Sequence, residues 1–192
     1  MNETKNDMLE SILLDKVVKK SMFMLLFSLS VTIFLSLATF NPDDQGWGVV
    51  SVNESTNFFG ETGAWVSGLI IREFGFLTGL LFVSVLFIWS LKFFNSSTIN
   101  FIKLKTLSLL LMIIAGSFGD AYLEILTSEF ISSQIFTIFQ EGYSDWIFIF
   151  VSENVSNLLG TDSLNSSHIL GISSLLISLA MFVWISSLSP AE

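Results

Sequence analysis

The sequence predicts an all-α integral membrane protein: four transmembrane helices in two hairpins, amphipathic surface helices on the outer side, and both termini inside. Three observations predict it. Hydrophobic residues make up 52% of the 192-residue chain and mean hydropathy is +0.72, above what a soluble domain of this size carries. Apolar runs poor in charge recur four times, each near the length needed to cross a hydrocarbon layer of about 30 Å. Seven of the eight basic residues fall on one side of that pattern: Lys5, Lys16, Lys19 and Lys20 precede the first run, and Lys92, Lys103 and Lys105 separate the second from the third. Such an excess marks the cytoplasmic face, so Lys16, Lys19, Lys20, Lys92, Lys103 and Lys105 set the topology.

Residues 1–20 form a cytoplasmic leader, and residues 21–188 the membrane domain. The first span, 21–40, contains no charge. Ser36-Leu37-Ala38 resembles a signal-cleavage site, but the run is long for a signal peptide and Glu3, Asp7, Glu10 and Asp15 precede it, so an uncleaved anchor is expected. The second apolar stretch is interrupted by Arg72-Glu73, and a charge at mid-bilayer costs about 2.5–3.5 kcal/mol. That cost places the span at 74–91 and turns 63–73 into a surface helix, with Trp65 at headgroup depth and Arg72 snorkelling to phosphates. The third span, 104–122, has a short charge-free core, requires Lys103 and Lys105 to snorkel, and puts Asp120 at the far surface. The fourth, 168–188, has no formal charge, and 189–192 begins a cytoplasmic tail or linker.

Residues 146–159 read as a second amphipathic surface helix, since a span there would be only 14 residues long and contain Glu153. Each half of the chain then pairs a surface helix with a following span that ends near a tryptophan, Trp89 or Trp184, which suggests a weak internal duplication.

The first outer loop reads Phe40-Asn41-Pro42-Asp43-Asp44-Gln45-Gly46-Trp47. Asn-Pro ends the helix, the two aspartates are expected to stay hydrated, and Gly46 turns Trp47 back toward the interface. Further on comes Gly60-Glu61-Thr62-Gly63-Ala64-Trp65. With these two stretches, carrying Pro42, Asp43, Gly46, Trp47, Gly60, Gly63, Ala64 and Trp65, the chain resembles the N-terminal four-helix membrane domain of FtsK/SpoIIIE-type DNA translocases over about residues 16–188. The resemblance implies a membrane anchor for a motor at the bacterial division septum, in the inner membrane, contacting other divisome proteins and gathering as a homo-oligomer, hexameric as in the family. No Gly-x-x-x-x-Gly-Lys-Ser/Thr loop is present to hold a triphosphate, so no ATPase is expected here; a motor would lie beyond residue 192, and DNA would be met only through it.

The net charge of −9 comes mainly from carboxylates in the two long connections that the topology places outside. No basic cluster is large enough for nucleic acid, and no cysteine offers a disulfide or thiolate site. His168 stands at a membrane boundary without neighbouring ligands, so neither a metal nor another cofactor is expected. A transporter would bury a titratable group, and Asp120 is the sole candidate for that alternative, a small pore or transporter subunit; a second alternative is an assembly factor without a motor. Small residues suited to close helix contact recur at Ser28, Thr32 and Ser36, at Gly75 and Gly79, at Ala115 and Gly119, and at Ser174 and Ser178, serving contacts within one bundle or between subunits.

Overall fold

The computed structural model describes residues 2–52, 54–95, 99, 101–130, 143–160 and 163–186. Six helices follow one another: α1 (Asn2–Ala38), α2 (Gly60–Phe74), α3 (Phe76–Phe94), α4 (Ile102–Phe130), α5 (Tyr143–Leu159) and α6 (Ser163–Ser186). Among the described residues the only β pairing is an isolated bridge between Gly46 and Val49. Among the described residues four segments are long and apolar enough to cross a membrane: Ile12–Ala38, Phe76–Phe94, Ile102–Glu124 and Ser166–Ser186. The expected spans match these in number and order. The first begins nine residues earlier than expected, because Asp15, Lys16, Lys19 and Lys20 do not interrupt the helix; 187–192 lie outside the described residues. The apolar part of α5, Ile147–Leu158, is too short to cross.

Charge separates α2 from α3 in the sequence, and a single glycine separates them in space. Gly75 holds φ +92° and ψ 159°, a region open to glycine alone, so Arg72 and Glu73 stay on α2 while Phe76 begins the span.

The spans pack as two antiparallel hairpins. In the first, Phe23 meets Phe94 with centroids 5.0 Å apart, Phe27 meets Phe87 at 5.9 Å, and Leu37 lies against Gly79. In the second, Lys105 faces Trp184, the Ser178 hydroxyl donates to the Met112 carbonyl (3.2 Å), Gly119 faces Leu175, and Tyr122 faces His168. The hairpins join at both ends. Trp89 Nε1 donates to the Ile185 carbonyl (3.2 Å) at one, and Asp120 meets Thr78 at the other. The short α3–α4 connection leaves Lys92, Lys103 and Lys105 at the same end of the bundle as Lys16, Lys19 and Lys20.

Lipid offers no hydrophobic drive for helix association, so contact comes from small residues and satisfied polar groups. Ser30, Ser36, Ser90, Ser174, Ser178 and Ser186 are buried. All but Ser178 return their hydroxyls to carbonyls three or four residues back, so these five donors are satisfied within their own helices. One apolar core joins Leu26, Ile33, Leu37, Val85, Trp89 and Met112; a smaller one gathers Ala121, Tyr122 and Phe148 under α5.

Candidate functional site

The loop between α1 and α2 folds back as a cap on one end of the bundle. It begins with an Asx turn, the Asp43 amide donating to Asn41 Oδ1 (3.1 Å). Asp43 stays exposed, as expected. Asp44 does not stay hydrated: it is 5% exposed, and its carboxylate accepts from the Thr56 amide (2.9 Å), the Thr56 hydroxyl (3.0 Å), the Ser55 hydroxyl (3.1 Å) and the Asn57 amide (3.0 Å). Burial alone would raise the Asp44 carboxyl. The hydrogen bonds from Thr56, Ser55 and Asn57 outweigh it and hold the group below the ordinary carboxylate range. Two carboxylates side by side in sequence cannot be ranked by hydration without knowing which one the returning chain covers.

Asn57 carries the cap inward. Its Nδ2 donates to the Ser36 carbonyl (2.9 Å) and the Thr39 carbonyl (3.1 Å), filling acceptors left open at the C-terminal end of α1, while its Oδ1 accepts from the Phe59 amide (3.2 Å). A Cβ on Gly63 would collide with the Asn57 side chain, so that glycine admits the plug.

The two motif stretches meet. A Cβ on Gly46 would lie 2.9 Å from the Ala64 carbonyl oxygen, so loop and helix touch backbone to backbone. Trp47 packs edge-on against Trp65 with centroids 5.5 Å apart, covers Gly68, and donates its indole N–H to Glu73 Oε1 (2.6 Å). Gly60 lies at φ +61° and turns the chain into α2; Pro42 is half-buried. Arg72 is half-buried near Gly48, and burial lowers its guanidinium pKa from the usual value. Beside the cap, Val50 and Val52 are fully exposed and Phe58 largely so.

Below the cap, Asp120 departs from expectation. Instead of lying at a solvated surface it is 4% exposed, and its Oδ2 accepts from the Thr78 amide (2.8 Å) and hydroxyl (2.7 Å). Thr78 stands in the first turn of α3, so a carboxylate from α4 caps the helix that Gly75 starts afresh. Gly75, expected as a helix-packing residue, is therefore a backbone break seated against Asp120. Only the fold brings Asp120 to Thr78, across 42 positions.

The other small residues divide. A Cβ on Gly79 would lie 2.7 Å from Ile70 Cγ2, and one on Gly119 would lie 2.5 Å from Leu175 Cδ2, so both serve contacts within the chain. Ser36, Ser174 and Ser178 are buried, Ser28 and Thr32 are exposed, and Ala115 is half-buried on the side of α4. Gly116, seated between Thr78 and Ser178, and Gly171, seated against the Tyr122 ring, make close contacts that the small-residue spacing did not single out. His168 accepts from or donates to the Tyr122 hydroxyl (2.8 Å). Among the described residues no group of three or more metal-ligating side chains forms.

At the lysine end, Lys16, Lys20 and Lys103 are exposed, Lys92 is half-buried, and Lys19 pairs with Asp15 at 2.8 Å. Lys105 does not snorkel outward. It is 3% exposed between α4 and α6, with its ammonium 6.0 Å from the centre of the Trp184 ring.

Four spans, a capped end joining two separated loop motifs, and a buried carboxylate linking the hairpins describe a multi-pass membrane protein in contact with the lipid bilayer. No curated protein and no solved structure matches the chain. Residues 15–134, from the lysine leader through α4, match the family described as the 4TM region of DNA translocase FtsK/SpoIIIE, and the chain belongs to that family.

Proposed function

We propose that this chain is the membrane anchor of a bacterial cell-division DNA translocase. Its lysine end lies in the cytoplasm and its capped end outside. It tethers the motor at the septum of the inner membrane, contacts other divisome proteins through its spans and cap, gathers as a homo-oligomer that is hexameric by family resemblance, and catalyses nothing itself. DNA is met only through the motor domain. The observation that carries this reading is the cap, in which the two family-like loop segments close on each other at Gly46–Ala64 and Trp47–Trp65 and present exposed Val50, Val52 and Phe58.

The test is a fluorescent protein that matures only in the cytoplasm, fused after Glu192 and imaged in dividing cells. Bright midcell bands are the expected result. An even envelope signal removes septal anchoring and favours an assembly factor without a motor, and a dark fusion overturns the orientation. The burial of Asp120 keeps one other reading in play, a small pore or transporter subunit. An Asp120→Asn chain that still supports septation but loses an ion flux would establish that reading instead; the Thr78 cap predicts no such flux.

A further inference from the structure

A cavity of about 340 Å³ lies between α4, α5 and α6. Leu111 and Phe118 wall it on α4, Leu170 and Met181 on α6, and Phe148 and Val151 of α5 close it toward the capped end. It opens sideways, where Leu111, Ile114 and Ile177 are exposed on the flanks of two spans.

We propose that this groove holds one acyl chain of a phospholipid from the leaflet on the α5 side. Depth is the first reason. The walls belong to two membrane-crossing segments, and α5 is too short to cross, so the opening faces hydrocarbon just below the interface.

Chemistry is the second. No lining side chain is charged, and the Ser173 and Ser174 hydroxyls are turned onto the carbonyls of Leu170 (3.0 Å) and Gly171 (2.9 Å). A polar ligand or an extended peptide would leave its own donors and acceptors unmet there, at a cost of several kcal/mol per group. A hydrocarbon chain leaves none.

Dimensions decide between a lipid tail and a helix. The walls run from Leu111 to Phe118 and from Leu170 to Met181, which at about 1.5 Å per residue is about 10–17 Å, against about 15 Å for half the hydrocarbon layer. Spreading 340 Å³ over that length, and adding back the radius of a water-sized sphere on every side, leaves a cross-section of roughly 50–70 Å², below the roughly 80 Å² of a helix about 10 Å across. The groove admits one extended chain and is too narrow for a helix of a second copy or another protein.

The test takes the whole chain from membranes in detergent-free polymer discs and strips it by native mass spectrometry. One phospholipid mass per chain should survive after the outer lipids leave. Ala115→Phe, which fills the groove, should lower the retained fraction about tenfold with helicity unchanged, while Leu107→Phe on the exposed side of α4 should retain it. A phospholipid carrying a photoreactive group on its tail provides a readout without any variant: cross-links should fall on peptides 111–118 and 170–181. Equal retention by folded Ala115→Phe and the parent chain overturns the proposal, as does a retained free fatty acid. So do cross-links spread evenly over exposed positions such as Leu25 and Leu107, or a protein adduct at Ile177→Cys, placed as the only thiol in a chain without cysteine.

Discussion

In the N-terminal half, α2 is held over α1 and α3 by polar contacts: Asn57 on the end of α1, Asp44 on the returning loop, and Trp47 on Glu73. In the C-terminal half, α5 lies against α4 and α6, and among the described residues it meets α4 through rings, Phe148 against Phe118 at 6.2 Å and Tyr122 at 6.5 Å. Both halves repeat span, shorter helix, span. Hydrogen bonds are directional, so the first half has one solution, with Gly46 and Gly63 cleared for it. Ring packing is less directional, and the second half retains a groove along its side. The family match stops at residue 134, before α5, so it covers the first half and α4 of the second.

The comparison can be broken most severely at the seam. Gly75→Ala forces a side chain into a glycine-only conformation and into Asp120, at a combined cost of roughly 4 kcal/mol, and should abolish accumulation of folded chain on fluorescence-detected gel filtration. Phe148→Ala should destabilise by roughly 3 kcal/mol, the low end for a buried phenylalanine because lipid can flow into the space. Limited proteolysis should then cut near α5 and spare α2.

Asp44→Ala should cost about 1–3 kcal/mol and Asp43→Ala less than about 0.5 kcal/mol, measured as melting shifts in lipid discs. Equal shifts would dissolve the contrast between the halves. Because the folded Asp44 pKa is lowered, its contribution is present in full above the ordinary carboxylate value near 3.8 and fades as pH falls below it through the folded pKa. The parent chain should therefore lose stability there, and Asp44→Ala should lose less. An effect below that of Asp44→Ala is expected from Tyr122→Phe, which removes one hydrogen bond to His168 and should lower the melting point by the equivalent of about 0.5–1.5 kcal/mol.

Sequence periodicity and charge made the membrane class, the four spans, the lysine-rich end, the α2–α3 boundary and the shortness of the apolar run within residues 146–159 readable, because each follows from transfer between water and hydrocarbon. The motif residues Gly46, Trp47, Gly63, Ala64 and Trp65 also stand out in the chain as turn and interface residues. Their contacts do not. Asp43 and Asp44 look alike until Thr56 and Asn57 return over one of them, and Asp120 reads as a surface carboxylate until α4 brings it to Thr78. Lys105 reads as a snorkelling anchor until α6 lays Trp184 across it. Solvation is a property of a residue and its neighbours in sequence, and it placed the helices; burial of a single polar group depends on partners tens of positions away, and only the packed bundle decided those.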